Sequence, residues 1–120
     1  MGGFSLKRPF VEALARQLGC GCPDEVFESI RSFVAPAPVV WSVVIGERLV
    51  LCIMNASDVD QAPLVLERLR AHRDRLGLNR VRLILSGSVA VGGLGACQAA
   101  CADERMHVHV VSVDALGALQ

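Results

Sequence analysis

Two β-rich runs separated by only two residues are the feature that most constrains how this chain folds. The runs cover residues 39–45 and 48–54, and Gly46 and Glu47 lie between them. This spacing predicts a hairpin with a two-residue turn, and glycine at the first turn position indicates a type II′ turn. Every residue of the second run after Arg48 is apolar, which is typical of a strand covered on both faces. We therefore expect this strand to lie inside a sheet that helices flank.

Helical and strand patterns alternate along the rest of the chain. The predicted helices cover 5–18, 23–33, 62–76, 94–102 and, as a terminal turn or short helix, 114–119; the further strands cover 81–85 and 108–113. Strands that follow one another through a helix run parallel. The order therefore predicts an α/β fold with a mixed sheet, which has an antiparallel hairpin edge and parallel strands joined by helical crossovers. Two N-terminal helices precede this sheet.

The length and the apolar content describe one small domain. A chain of 120 residues forms a single core, so we expect one domain over 1–120, with an N-terminal helical segment 1–35 and a sheet core 36–120. Apolar residues make up 52% of the chain, which is high for so small a domain. Part of this apolar surface is expected in a subunit interface, and we therefore predict a homodimer.

The charges are balanced and no targeting segment is evident. Lysine plus arginine number 12 and aspartate plus glutamate number 12, so no overall charge attracts nucleic acid or an anionic membrane. The N-terminus lacks the apolar core of a signal peptide, and the longest near-apolar stretch, 34–46, is too short to cross a bilayer. We expect a cytoplasmic protein that does not enter membranes.

Four of the five cysteines form two closely spaced pairs, which suggests a metal centre. Cys20 and Cys22 precede the second predicted helix, and Cys97 and Cys101 share one face of a later helix. Four thiolates are the usual complement for zinc or an iron–sulfur cluster, and in a chain without an export signal they are expected to be reduced. The expected cofactor is therefore zinc or an iron–sulfur cluster, provided that the two pairs meet.

The same cysteines allow two other interpretations. Free cysteine is among the most buried residue types, so Cys97 and Cys101 also fit the packing of a helix on a sheet. Cys20 and Cys22, in a loop near a helix start, also fit a redox-active thiol pair. Cys52 lies in the middle of an apolar strand and is expected in the core.

A glycine-rich loop between a strand and a helix is a candidate anion site. Backbone N–H groups of such a loop bind phosphate when a helix begins directly after it. The stretch lacks the lysine of a phosphate-binding loop and the spacing of a dinucleotide fingerprint, and its centre is apolar. The candidate residues are Gly87, Ser88, Gly92, Gly93 and Gly95.

Arginines and histidines provide two more candidate sites. The arginines form a candidate nucleic-acid surface, although a solvated helix face explains them better; they are Arg68, Arg70, Arg73, Arg75, Arg80 and Arg82. His107 and His109 alternate onto one face of a strand, where they could approach a metal together or be structural.

From Arg48 onward the pattern resembles a known nuclease fold. A hairpin, a long arginine-rich helix, a strand ending in Ser86-Gly87, a helix of small residues and the closing HVHVVSVDAL follow one another. This order resembles the core of restriction-endonuclease-like domains of the Holliday-junction-resolvase and Mrr type. That family carries an acidic residue and E-x-K on the hairpin strands, where this chain has Leu51, Cys52, Ile53 and Met54. The resemblance implies a catalytically degenerate domain that binds nucleic acid.

A second resemblance rests on the later cysteine pair. Gly95-Ala96-Cys97-Gln98-Ala99-Ala100-Cys101 is similar to the second cysteine pair of thioredoxin-like [2Fe-2S] ferredoxins. The first pair departs from their wider spacing and precedes every predicted strand.

No catalytic motif is present, so we expect a non-catalytic protein. The chain has neither G-x-S-x-G nor H-E-x-x-H. The sequence leaves three hypotheses: a metal or iron–sulfur protein, a degenerate endonuclease-like nucleic-acid-binding domain, and a thiol redox protein.

Overall fold

A five-stranded mixed sheet forms the centre of the computed structural model, which describes residues 4–19, 21–101 and 103–120. The strands are β1 (Ile30–Ser32), β2 (Val39–Ile45), β3 (Leu49–Asn55), β4 (Arg80–Ser86) and β5 (Met106–Val111). The α-helices are α1 (Arg8–Gln17), α2 (Ala62–Leu76), α3 (Val91–Ala99) and α4 (Val113–Leu119), and short 3-10 helices cover Asp24–Glu28 and Ala56–Gln61. Within the described ranges, no helix is both long and apolar enough to cross a membrane.

The strands lie in chain order, and β2 alone runs against the others. It pairs antiparallel with β1 and with β3, whereas β3, β4 and β5 are parallel to one another. Helices α2 and α3 make the two crossovers between the parallel strands. The predicted mixed α/β sheet with an antiparallel edge is confirmed.

The hairpin connection differs from the two-residue type II′ turn that the sequence suggests, because three residues, 46–48, separate β2 from β3 and Ile45 pairs with Leu49. Gly46 has φ 59° and Glu47 has φ 52°, and positive values at both central positions are typical of type I′. A Cβ atom at Gly46 would lie 2.6 Å from Cγ1 of Val26, so a side chain does not fit there. Glu47 accepts two hydrogen bonds from Arg31, from Nε over 2.7 Å and from Nη2 over 3.1 Å, which links the turn to β1.

The prediction of a second N-terminal helix is wrong beyond its first turn. A 3-10 helix covers Asp24–Glu28, and the chain then extends as β1, whose residues pair with Val43–Ile45 of β2. The apolar spacing of Val26, Phe27 and Ile30 matches a helix, but the free edge of β2 offers backbone hydrogen bonds that override this local preference. The sheet therefore begins within the segment that was expected to be helical.

Strand β3 divides the core into two layers. Leu49, Leu51 and Ile53 face α1 and α4, in a layer that we call the α1 layer. Val50, Cys52 and Met54 face α2 and α3, in the α2 layer. All of these side chains are at most 4% exposed, as the apolar run predicts for a strand covered on both faces.

A buried arginine fastens α2 to the segment before β5. The side chain of Arg73 is 2% exposed and donates to both carboxylate oxygens of Asp103, over 3.0 Å from Nη1 and 2.7 Å from Nη2. Arg73 also donates to Asp74 from Nε and Nη2. The hydrogen bond with Arg73 is the main reason why the pKa of Asp103 falls to about 2. This contact gives a structural role to Arg73, which is one of the six arginines in the predicted nucleic-acid surface.

We expect Asp103→Asn to lower the free energy of unfolding by about 1–2 kcal/mol at neutral pH, because one buried guanidinium loses its charged acceptor. The folded-state pKa of Asp103 lies below the unfolded value of 3.8, so the stabilisation is complete well above pH 3.8 and is lost as the pH falls towards about 2. Urea denaturation of both proteins across this pH range measures the difference.

Asp60→Asn is the matched control, because it removes the same charge at an exposed position on the 3-10 helix before α2. Equal destabilisation by the two substitutions, or a difference from wild type that stays constant down to about pH 2, would contradict the role of the Arg73–Asp103 pair.

Candidate functional site

A cavity of about 240 Å³ opens where β3 and β4 begin, and we call it the arginine cavity. Its lining residues are Gly19, Gly21, Cys22, Val26, Arg48, Leu49, Asn79, Arg80 and Arg82. The parallel strands start at the same end of the sheet, and the backbone N–H groups of Asn79 and Arg80 donate to the carbonyl of Arg48, over 2.8 and 3.0 Å. This backbone contact brings arginines from two distant parts of the chain to one site.

Arginines and histidines pair across β4 and β5 beside this cavity. Nη1 of Arg80 donates to Nε2 of His107 over 3.4 Å, and Nη1 of Arg82 donates to Nε2 of His109 over 3.0 Å. The two imidazole centroids are 6.3 Å apart. Alternation along the strands places these four side chains on the face of the α1 layer, because Ile84 and Val111 follow with the same period and belong to that layer.

The surroundings of both histidines lower their pKa values, which favours the neutral form. Desolvation and the charges of Arg82 and Arg80 lower the pKa of His107. Desolvation, Arg82 and His107 lower the pKa of His109 to about 4. A neutral imidazole has one nitrogen that accepts a hydrogen bond, and in each ring the arginine uses Nε2. The Nε2 atom of each histidine therefore faces a guanidinium group.

Positive charge in the arginine cavity has no carboxylate partner among the described residues. The ion pairs of the described chain involve other arginines, namely Arg8, Arg16, Arg31, Arg70 and Arg73. In addition, Nε of Arg82 is closed to solvent and has no hydrogen-bond acceptor within the described residues. A buried donor without an acceptor costs about 1–3 kcal/mol.

The arginines predicted as one surface lie on two sides of the sheet. Arg80 and Arg82 line the arginine cavity, whereas the other four belong to α2, which packs in the α2 layer. Of these four, Arg73 binds Asp103, Arg70 lies 3.7 Å from Asp74, and Arg75 contacts His72. A continuous surface over all six, from Arg68 to Arg82, is therefore not formed.

The sheet also separates the cysteines. Cys22 packs against the α1 layer and lines the arginine cavity, whereas Cys97 and Cys101 belong to the α2 layer. Cys20 lies outside the described residues. In the part of the chain that the structure describes, no group of three or more His, Cys, Asp or Glu residues could hold a metal. The structure does not bring Cys22 to the later pair, so the predicted centre of four thiolates is not assembled there.

Cys97 and Cys101 have the surroundings of packing residues. Cys97 is fully buried, with its thiol 4.0 Å from the carbonyl oxygen of Val59, and the thiol of Cys101 donates to the carbonyl of Cys97 over 3.6 Å. Burial raises the pKa of both thiols, and nearby Cys97 and Asp103 raise that of Cys101 further. Cys52 is fully buried as expected, and burial raises its pKa as well.

The glycine-rich stretch forms less of a loop than its composition suggests. Helix α3 already begins at Val91, so Gly92, Gly93 and Gly95 are helical residues. Gly87 stays in the loop with φ 127°, and its N–H donates to the carbonyl of Val111 over 2.9 Å. That N–H group is therefore already used, and Ser88 is an exposed residue beside it.

Sequence reasoning missed Arg48 and Asn79 as site residues. Arg48 precedes β3 and Asn79 precedes β4. The two residues meet at the cavity only because β3 and β4 pair in parallel, with Leu49 opposite Arg80. A signal for the other half of the site was present: Arg80 and Arg82, like His107 and His109, are two residues apart on a strand and so share a face.

Comparison with known proteins does not assign the chain, since no family model, no curated protein and no solved structure matches it. The homodimer, the cytoplasmic location and the resemblance to restriction-endonuclease-like domains stay predictions.

Iodoacetamide at neutral pH is expected to leave Cys52 unlabelled in the folded protein and to label Cys97 and Cys101 slowly, because burial raises the pKa of all three thiols. Unfolding in urea should bring the three labelling rates to a common value. Peptide mass spectrometry over a time course measures each rate. Fast labelling of Cys101 before unfolding would contradict a packing role and favour a reactive thiol.

Proposed function

We propose that this domain is a non-catalytic binding module that takes a phosphate-bearing anion in the arginine cavity. The observation that supports this best is the convergence of Arg48, Arg80 and Arg82 on one cavity without a carboxylate partner among the described residues. Like charges that share a site repel one another, and an anion between them removes that repulsion. Guanidinium groups also match the oxygen geometry of phosphate.

The cavity has an apolar side as well as a cationic one. Cys22, Val26 and Leu49 line it together with the arginines and Asn79. Inorganic phosphate uses the cationic side alone, whereas an organic phosphate also covers the apolar side. The composition of the lining therefore favours a nucleotide-like or sugar-phosphate group, either free or as part of a nucleic acid.

Nucleic acid is the source of phosphate that the resemblance to endonuclease-like domains implies. Arg105 extends the basic surface beyond the cavity, because its Nη1 donates to the side-chain oxygen of Asn79 over 3.4 Å. At the hairpin positions where that family carries its acidic residues, Leu51, Cys52, Ile53 and Met54 are fully buried in the two core layers. These side chains offer no oxygen ligands for a divalent cation, so the proposal is binding without cleavage.

Arg48→Gln combined with Arg80→Gln tests the proposal. Both side chains are exposed, so the double variant should fold, and it should weaken anion binding about tenfold or more because two charge-assisted contacts are lost. Calorimetric titration with inorganic sulfate and with a nucleoside monophosphate, together with fluorescence anisotropy of a labelled single-stranded oligonucleotide, measures the affinities.

Arg68→Gln combined with Arg75→Gln is the matched control, since it removes the same charge from exposed positions of α2, across the sheet. Preference for the oligonucleotide with a steep dependence on salt identifies nucleic acid as the ligand, and equal affinity for the monophosphate identifies a small molecule. Absence of binding to all three probes at low salt, or equal weakening by the control pair, would disprove the proposal.

A further inference from the structure

Strand β5 is an open edge of the sheet in the described part of the chain. It pairs with β4 alone, and its register with β4 runs without a bulge from Met106 to Val111. A groove of about 220 Å³ lies along β5 beside α3, and a groove of about 490 Å³ lies along it beside α1 and α4. Val108 and His109 line both grooves, so the middle of β5 is accessible from both faces of the sheet.

Two hydrogen bonds show which way the backbone of β5 points. The carbonyls of Arg105 and Val111 accept from the N–H groups of Val81 and Gly87, each over 2.9 Å, so these carbonyls face β4. Backbone groups of successive strand residues point to opposite sides, and the odd-numbered residues of β5 therefore bond to β4. Val108 and Val110 consequently point their N–H and C=O groups away from the sheet, where no other described residue binds them.

The two edges of the sheet are protected to different degrees. Strand β1 has only three residues, and its exposed Arg31 is engaged with Glu47, which is typical of an edge that resists pairing. Strand β5 has six residues without lysine, proline or glycine, and Val110 is 40% exposed on it. A regular, uncharged and apolar edge of this kind is a template for a further strand.

We propose that a second copy of this chain covers β5, with the two β5 strands paired antiparallel about a two-fold axis beside His109. In this register Val108 exchanges both of its outward hydrogen bonds with the partner's Val110, and Val110 does the same with the partner's Val108. The product is one ten-stranded sheet that ends in a protected β1 on each side. Both open edges are then used, so pairing stops at two copies.

Charges at the two ends of β5 favour a second copy in this orientation. Arg105 precedes the strand and Asp114 follows it in the first turn of α4; both are exposed, and neither forms an ion pair with another described residue. Arg105 contacts Asn79 at the arginine cavity and Asp114 belongs to α4, so both lie on the α1 side of the sheet. Antiparallel pairing brings each Arg105 close to the partner's Asp114.

The axis itself carries no net charge at neutral pH. His109 lies opposite the partner's His109 there, and burial is the main reason why its pKa falls to about 4. Two neutral rings therefore meet, without the repulsion that two imidazolium groups would bring.

Val110→Lys tests the pairing. Val110 is exposed in the single chain, so the variant should fold, but the new charge lies opposite the partner's Val108 and should weaken the dimer about tenfold or more. Sedimentation equilibrium of the full chain from about 1 to about 500 μM measures the dissociation constant. Val40→Lys is the matched control, because it changes an exposed valine of β2, which β3 and β4 separate from β5, and it should leave the dimer unchanged.

A charge exchange tests the antiparallel orientation. Arg105→Glu alone, or Asp114→Arg alone, should weaken the dimer about threefold or more, because each places like charges together at both ends of the interface. The two substitutions combined should return the dissociation constant to within about twofold of wild type. A double variant that is as weak as the two single effects added together would overturn the proposed orientation.

Hydrogen exchange followed by nuclear magnetic resonance provides a readout that needs no variant. The amides of Val108 and Val110 should exchange slowly in concentrated wild-type protein and faster on dilution, whereas the buried Leu83 amide should stay slow at both concentrations. A chain that is monomeric throughout the range overturns the proposal, and so does a dimer in which both valine amides exchange fast. Protection of these amides by an extended synthetic peptide on a monomeric chain would assign the edge to a different partner. None of these measurements requires an anion, so they stand apart from the test of the proposed function.

Discussion

The burial of β3 on both faces is the constraint on which the rest of the structure depends. Each of its side chains from Leu49 to Met54 is at most 4% exposed, and burying a large apolar side chain contributes about 1.5–3 kcal/mol. A strand of this kind needs a cover on each side. Helix α1 with α4 forms one cover and α2 with α3 forms the other, so the three-layer order follows from one apolar run.

This layering decides which chemical groups meet. Side chains that alternate along β4 go to different layers: Arg80 and Arg82 to the α1 layer, Val81 and Leu83 to the α2 layer. Arg80 and Arg82 lie near the beginning of the strand, where Arg80 is exposed and Arg82 is half-buried. Further along the same face, Ile84 continues the apolar core.

Much of the fold could be predicted from the sequence because its signals are local. The hairpin follows from the spacing of two apolar runs, and α2 follows from helical periodicity that ends at Gly77, which has φ 69°. Strand β1 could not be predicted, since its three residues, Ile30–Ser32, become a strand only by pairing with β2. Local preference there indicates a helix, and a tertiary contact decides the outcome.

The candidate site was harder to predict because it depends on how the N-terminal segment packs against the sheet. The count of cysteines is correct for a metal centre, but no sequence pattern says on which side of the sheet Cys22 packs. The arginine cavity likewise needs the register of β3 with β4 and the position of Leu18 above Arg82. Arg80 and Arg82 are two residues apart on one strand, and His107 and His109 are two residues apart on another. This spacing predicts that each pair shares a face of the sheet, but it does not predict which segment packs on that face.

The sheet between the two layers also makes them energetically separable. Substitutions that share no contacts change stability additively, so changes in the outer face of α2 and changes around Arg82 should combine without coupling. The exposed side of α2, which includes Leu64, Arg68 and Arg75, is therefore a suitable place for a fluorophore or for attachment to a sensor surface. Attachment through this face leaves the arginine cavity free, because Arg80 and Arg82 lie on the other side of the sheet.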